Sequence, residues 1–220
     1  MNIIAIIQAR LSSSRLPGKV LMDIEGKSML WHVIGRVKKA TLIDQVAIAV
    51  PSTDQELASV AIGNCGFFAY VGDEDDVLDR YYQAAKFYEA GIIVRITGDC
   101  PLIDPEVIDR TIQYFLDNNI DYIYNLPPYP DGLDVEVFSF GALVKTWKEA
   151  KDPYDKEHVT TYIRYHPELF RIGKLDGLDL SHYKWSVDTA EDLEFARWVY
   201  QKLGDNFRLS DILKLIGGNK

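Results

Sequence analysis

Apolar positions along the chain follow two periods. Residues 3–7 (IIAII) form an uninterrupted apolar run of strand length, bounded by Gln8 and Arg10, and predict a strand buried on both faces. Short β-branched runs at 45–50, 67–71, 92–96 and 121–124 predict further strands. Longer segments between them carry apolar residues at helical spacing. Residues 27–39 place Met29, Leu30, Val33, Ile34 and Val37 on one helical face. Pro51, Ser52, Thr53 and Asp54 make a turn into a helix carrying Leu57, Ala58 and Ala61, and residues 75–90 and 105–118 are further helices. The first turn of the 75–90 helix is rich in carboxylates, which suit a helix N-terminus.

Strict alternation of strand and helix predicts an α/β fold: a mostly parallel central sheet with helices on both faces. Ligands of such sheets sit beyond the carboxyl ends of the strands, which directs attention to the loops after Ile7, Val50, Val71 and Ile96. The pattern changes after Asn125. Residues 126–132 are rich in Pro, Tyr and Asp and predict a loop. Residues 134–138 predict a strand, 141–150 and 158–165 helices, 170–172 a strand, 184–187 a strand, and 191–203 and 210–216 helices. No flexible linker precedes this part, so one domain over 1–220 is expected, with 126–180 as an extension on the same core.

Composition narrows the class. Hydrophobic residues are 47% and charged residues 26% of 220, the balance of an ordinary globular protein, which excludes a disordered or fibrous chain. The net charge of −9 makes a general nucleic-acid binder a poor expectation, because that affinity comes from Lys and Arg contacts to phosphate. A phosphate ligand would need a local basic cluster or a divalent cation. The two cysteines, Cys65 and Cys100, make neither a disulfide framework nor a zinc array. No apolar run approaches the ~18 residues of a membrane span, and none has the form of a secretory h-region. The expectation is a cytoplasmic protein with no membrane insertion.

The segment after the first strand holds the local basic cluster: Gln8, Ala9, Arg10, Leu11, Ser12, Ser13, Ser14, Arg15, Leu16, Pro17, Gly18 and Lys19. Three cations accompany a run of small serines whose backbone N–H groups can approach a ligand closely. Oriented amides, two guanidinium groups and an ammonium suit a polyphosphate. There is no G-x-x-x-x-G-K-[ST] and no G-x-G-x-x-G after the strand, so neither a P-loop nor a dinucleotide fold is indicated.

Arg10-x-x-x-x-Arg15-x-Pro17-x-Lys19 resembles the signature loop of the CMP-sugar synthetases and related nucleotidyltransferases. Gly98-Asp99-Cys100-Pro101-Leu102-Ile103 resembles their metal-site segment, and Val187-Asp188-Thr189-Ala190-Glu191-Asp192-Leu193 their later one. The nearer resemblance is to the spore coat polysaccharide biosynthesis protein F family, a cytidylyltransferase-like group. It is carried by Glu74-Asp75-Asp76-Val77-Leu78-Asp79-Arg80-Tyr81-Tyr82, Gly132-Leu133-Asp134-Val135-Glu136-Val137-Phe138 and Glu157-His158-Val159-Thr160. The resemblance spans nearly the whole chain. It implies a nucleotide-diphospho-sugar transferase fold (Rossmann-like, GT-A-type), CTP as substrate, Mg²⁺ as cofactor and a sugar-type acceptor.

The expected machinery follows. Arg10, Arg15 and Lys19 hold the β- and γ-phosphates. Gln8, Ala9, Ser12, Ser13, Ser14, Asp75, Arg80 and Gly98 complete the nucleotide site, and Asp99 and Asp188 are the metal carboxylates. Asp188-x-x-Glu191 also has the form of a capping box, which leaves capping as a second reading for Asp188. Asp134 and Glu136 lie two apart on a strand and share a face. With Asn125, Glu157 and His158 they are the candidate acceptor-binding groups, which assigns 126–180 to acceptor binding or dimerisation. Tyr122, Tyr124 and Tyr129 suit a sugar ring or a homodimer interface. Asp73-x-Asp75 formally matches the D-x-D of metal-dependent glycosyltransferases, which keeps a nucleotide-sugar-using glycosyltransferase as the alternative.

Overall fold

The β-branched run at the N-terminus forms β1 (Ile3–Gln8), whose isoleucines are buried on both sides, as a strand covered by helices on two faces requires. A computed structural model describes residues 2–63, 68–177 and 179–218. After β1 come a 3-10 turn (Lys19–Leu21), β2 (Asp23–Ile24), β3 (Lys27–Ser28), α1 (Met29–Val37), β4 (Gln45–Pro51), α2 (Gln55–Gly63), β5 (Phe68–Gly72), α3 (Val77–Phe87), β6 (Ile92–Thr97) and α4 (Pro105–Asp117). The later elements are β7 (Tyr122–Tyr124), β8 (Glu136–Ser139), α5 (Phe140–Glu149), α6 (Pro153–His158), α7 (Thr161–Tyr165), β9 (Ile172–Lys174), α8 (Ala190–Leu203) and α9 (Leu209–Gly217).

Seven strands form one sheet in the order β5-β4-β1-β6-β8-β7-β9. Only β8 runs antiparallel to its neighbours, so the mostly parallel α/β architecture is as expected. The chain moves outward from β1 to β4 and β5, then returns to place β6 on the other side of β1. That reversal opens a crevice at the carboxyl ends of β1 and β6. The sheet face carrying Ala5, Ile7, Val94 and Ile96 packs against α1, α2, α4, α8 and α9. The opposite face, carrying Ile4, Ile6 and Ile93, packs against α3, α5 and α7. Residues 126–180 contribute β8 and β9 to this same sheet.

Local structure departs from the sequence reading at three places. Residues 27 and 28 belong to a hairpin strand rather than to the first helix. Glu25 and Gly26 both have positive φ, 49° and 83°, the signature of a two-residue primed turn. Ser28 then caps α1 by accepting the Trp31 N–H at 3.2 Å. The expected helix over 158–165 is broken into α6 and α7, because Val159 sits at φ 62° and ψ −53° with the Thr160 N–H on the His158 carbonyl at 2.6 Å. Residues 184–187 form no strand and join no ladder. A single bridge pairs Lys184 with Asp131, and the Trp185 and Ser186 N–H groups both donate to the Asp131 carbonyl, at 2.6 and 3.2 Å. The sequence pattern predicts a strand there but does not show the partner, which is a loop. The expected strand over 67–71 is β5, with residue 67 outside the described residues, as is Cys65.

Arg36, only 2% exposed, ties this framework to the crevice. Its Nε donates to the Ile103 carbonyl at 2.5 Å and an Nη to the Phe207 carbonyl at 3.0 Å, and the guanidinium lies 3.8 Å from the Phe207 ring centre. Tyr200 Oη donates to the Pro101 carbonyl at 2.7 Å. The bonds to Ile103 and Pro101 end on the loop that follows β6. Replacing Arg36 with Leu leaves two buried carbonyls without their charged donor, each bond being worth ~1.5–3 kcal/mol. The expected result is a fall of about 3 kcal/mol in unfolding free energy at unchanged m-value, measured by urea titration. A fall below about 1 kcal/mol would show that those carbonyls find other donors.

Candidate active site

The loop leaving β1 is held at its ends by bonds from its main-chain N–H groups, while several N–H groups between them stay open. Ala9 N–H donates to the Ala49 carbonyl, Leu11 N–H to the Asp54 carboxylate at 2.7 Å, and Gly18 N–H to the Leu11 carbonyl at 2.9 Å. Gly18 takes φ 70°, a conformation that costs glycine nothing, and so turns the chain to deliver Lys19 inward. Among the described residues, no protein acceptor faces the N–H groups of Arg10, Ser12, Ser14 and Arg15.

Two carboxylates converge on Lys19. Its Nζ donates to Asp99 Oδ2 at 2.7 Å, to the Val187 carbonyl at 2.7 Å and to Asp188 Oδ1 at 3.1 Å. Asp99 arrives on the loop after β6, one residue beyond Gly98. A Cβ on Gly98 would lie 3.0 Å from the Gln8 carbonyl oxygen, so a side chain there would push β6 away from the β1 loop. Asp188 arrives because Val187 N–H donates to the Asp99 carbonyl at 2.9 Å. Arg15 reaches Asp188 Oδ1 at 2.9 Å and Lys184 reaches Asp188 Oδ2 at 3.4 Å. Burial works to raise the Asp188 carboxyl, but Lys19, Lys184 and Arg15 outweigh it and hold the group below the usual carboxylate range. Helix α8 is capped by Thr189, whose side chain accepts the Asp192 N–H while Asp192 reaches back to the Thr189 N–H. The capping box therefore starts one residue later than the sequence spacing predicts, and the Asp188 carboxylate faces the cations.

These groups line a cleft of about 250 Å³ together with Gln8, Ala9, Arg10, Ser13, Ser14, Gly98, Arg80, Glu157 and His158. Arg10 lies 3.9 Å from Glu157 across its mouth. Arg80 is 2% exposed. It donates from an Nη to the Asp73 carbonyl at 2.8 Å, and its Nε meets no partner among the described residues. Burial lowers its pKa. The cleft also contains Arg95, which the sequence reading passed over. Arg95 Nε donates to Gln8 Oε1 at 3.2 Å, and an Nη lies 3.3 Å from Glu136. Burial acts to lower its pKa, but Glu136 opposes this and the net shift is upward. A lone cation inside the apolar strand Ile92–Thr97 was the available signal, since such a charge needs a partner.

Several candidates lie outside the cleft lining. Ser12 and Asp75 are exposed and do not line it. In the acidic run, Asp73 accepts the N–H groups of Asp75 and Asp76, and Asp76 caps α3, so the run closes a helix start. Asn125 is 1% exposed, with its amide bonded to the Leu133 carbonyl at 2.6 Å and to the Val135 N–H at 2.9 Å. Both of its polar atoms staple its own loop. Glu136 reaches the site only through Arg95. Asp134 accepts the Gly132 N–H at 2.7 Å and does not line the cleft.

The donor set fits a hard divalent cation. Among the described residues, no group of three or more His, Cys, Asp or Glu surrounds one point. Two carboxylates sharing a single cation are nevertheless what an ion needs when substrate phosphates and water complete its shell.

Comparison with known proteins agrees with this architecture. Residues 4–207 match the family model described as cytidylyltransferase. The spore coat polysaccharide biosynthesis protein SpsF of Bacillus subtilis is 34% identical over 229 residues, covering 99% of this chain and 95% of its own length. The 3-deoxy-manno-octulosonate cytidylyltransferase of Pelobacter propionicus is 42% identical over 120 residues, covering 54% of this chain and 46% of its own. A solved structure of a cytidylyltransferase from Leptospira borgpetersenii superposes with a TM-score of 0.94 at 31% identity, covering 100% of this chain and 95% of that one. With a family model spanning most of the chain and a relative matched end to end, the protein belongs to the cytidylyltransferase family and is a nucleotidyltransferase.

Proposed function

We propose that the protein transfers a cytidylyl group from CTP to a sugar-type acceptor and releases pyrophosphate, in the synthesis of a cell-surface polysaccharide. The observation that carries this reading is the meeting of Lys19, Asp99 and Asp188 at the carboxyl ends of β1 and β6, beside open loop amides. The names of the B. subtilis and P. propionicus relatives support the substrate class. Magnesium is the proposed ion and the cytoplasm the proposed compartment. Among the described residues, no helix is long and apolar enough to cross a membrane.

In this reading the triphosphate lies along the loop. The exposed Arg10 and Arg15 and the unpaired N–H group of Ser14 bind its β- and γ-oxygens. Asp99 and Asp188 would hold a divalent cation, which supplies charge neutralisation at the phosphates. The acceptor oxygen attacks the α-phosphorus in line, the bond from that phosphorus to the bridging oxygen breaks, and pyrophosphate leaves. Catalysis rests on positioning and on charge stabilisation by the loop cations. Arg80 faces the nucleotide side of the cleft.

The acceptor enters from the extension, residues 126–180. Glu157 and His158 line the cleft from α6, with the Tyr154 ring tilted against His158 at 4.2 Å between ring centres. The exposed Tyr154, Tyr165 and Leu169 offer a surface for a homodimer. Asp134 lies outside the cleft lining. Burial raises its carboxyl to about 6, the Gly132 N–H opposes the shift, and Asp131, Glu136 and Asp99 add to it.

Pyrophosphate release with each of four nucleoside triphosphates and Mg²⁺, against sugar phosphates and keto-sugar acids, tests the reaction. Turnover is expected with CTP, and none with any triphosphate would sink the reading. Arg15→Ala is expected to weaken CTP binding by ~1.5–3 kcal/mol and CMP binding far less. Equal losses in calorimetry would remove Arg15 from the β/γ-phosphates. Asp99→Asn should lower turnover by on the order of 10²–10³ with secondary structure retained by circular dichroism, and near-normal turnover would take Asp99 out of the proposed metal site. Asp134 has a second signature. The unfolded carboxyl titrates near ~3.9, so between that pH and about 6 the folded state binds the proton more tightly, and wild-type stability falls as pH rises through this window. Asp134→Asn keeps the acceptor for Gly132 and loses the titration. Its melting temperature relative to wild type should therefore be higher at about pH 7.5 than at about pH 4. A constant difference would show that Asp134 is not protonated by its surroundings.

A further inference from the structure

All three N–H bonds of the Lys19 ammonium have protein acceptors: Asp99 Oδ2 at 2.7 Å, the Val187 carbonyl at 2.7 Å and Asp188 Oδ1 at 3.1 Å. None is left for a phosphate. A divalent cation bound by the same two carboxylates would need their oxygens at ~2.0–2.1 Å. An ammonium and a metal ion cannot both occupy that space, since they would be like charges a few ångströms apart. We infer that Lys19 is a displaceable internal counter-ion: its ammonium fills the place between Asp99 and Asp188, and a triphosphate on the β1 loop draws it out so that a divalent cation can enter. The inference rests on the metal assignment proposed above.

The surroundings favour such an exchange. The Lys19 side chain is 10% exposed, so an ammonium pulled from its carboxylates needs another anion, because an unpaired buried charge is costly. The nucleotide phosphates are that anion, and the loop that binds them ends at Lys19 itself. Arg15 shares Asp188 Oδ1 but is 64% exposed, so it can turn toward the phosphates as well. Lys184 stays behind. It contacts Asp188 Oδ2 at 3.4 Å and Asp192 at 2.5 Å, so Asp188 keeps one cation as the other two depart. Metal and triphosphate then favour each other's binding, and by linkage the coupling is reciprocal, typically 5–150-fold.

The test uses the full chain and Mn²⁺, with free ion followed by electron paramagnetic resonance. Wild type should bind Mn²⁺ weakly alone and on the order of 10-fold or more tightly with a non-hydrolysable CTP analogue. Lys19→Met should bind Mn²⁺ alone about 10-fold more tightly than wild type, and Mn²⁺ should raise its melting temperature more than that of wild type. Lys19→Arg, which keeps a cation, should bind Mn²⁺ alone as weakly as wild type. Because Mn²⁺ also chelates free triphosphate, the ion-alone comparison is decisive. If Lys19→Met binds Mn²⁺ no more tightly than wild type, the counter-ion role is overturned. Should that variant fail to fold, wild type decides: equal Mn²⁺ affinity with and without analogue overturns the inference. Failure of the analogue to bind wild type would instead overturn the nucleotide reading and the triphosphate's part in the exchange, while the ion-alone comparison still decides whether Lys19 excludes the metal.

Discussion

One ammonium held between two carboxylates organises the site. Lys19 follows the first strand, Asp99 the sixth and Asp188 precedes α8, yet a single nitrogen on the first of these segments bonds to the other two, through Asp99 and through Val187 and Asp188. Asp99 and Asp188 would repel each other at this distance without a cation between them. The positions of the β1 loop, the β6 loop and the approach to α8 are thus set together. The framework around them serves that geometry. Gly18 turns Lys19 inward, and Arg36 and Tyr200 hold the loop after Asp99 by its carbonyls.

The approach to α8 depends on a loop from the extension. The Asp131 carbonyl accepts two consecutive N–H groups, those of Trp185 and Ser186. Gly132, at φ 99°, packs so closely on this segment that a Cβ would collide with the Ser186 nitrogen. The same loop is closed from within by Asn125. The extension therefore fixes Asp188 as well as presenting Glu157 and His158. Presenting those two residues involves strain. Val159 is β-branched, fully buried and at positive φ, a conformation that costs on the order of 1–3 kcal/mol and that its packing against the second core outweighs. The bend it makes ends α6 at His158, at the edge of the cleft.

Electrostatics in the cleft run opposite to the chain as a whole. The protein carries a net charge of −9, yet Arg10, Arg15, Lys19, Arg80 and Arg95 gather at one crevice. Most are compensated within the protein: Arg95 by Glu136, Lys19 and Arg15 by Asp188, and Arg10 distantly by Glu157. Most of the cleft's cations thus already have carboxylate partners within the protein.

The sequence by itself determined the strands and helices of the front half, because β-branched runs and helical spacing are local properties of neighbouring residues. It also picked out the basic loop and the two carboxylate segments, which the structure brings together at one cleft. It placed the α8 cap one residue early, since Asp188 and Thr189 are both good caps and only the contest for Lys19 separates them. It merged Lys27 and Ser28, the second strand of the hairpin, into a helix and took Asn125 for a ligand-facing group, because nothing in the adjacent residues shows which backbone groups its amide will meet. Arg95 was legible only as an anomaly in an apolar strand until Glu136 appeared opposite it in the next strand. Only the tertiary structure decided that Asp99 and Asp188 share one cation, since that depends on strand order and on the Asp131 clamp. Contacts between residues 80 and 169 positions apart leave no trace in any local pattern.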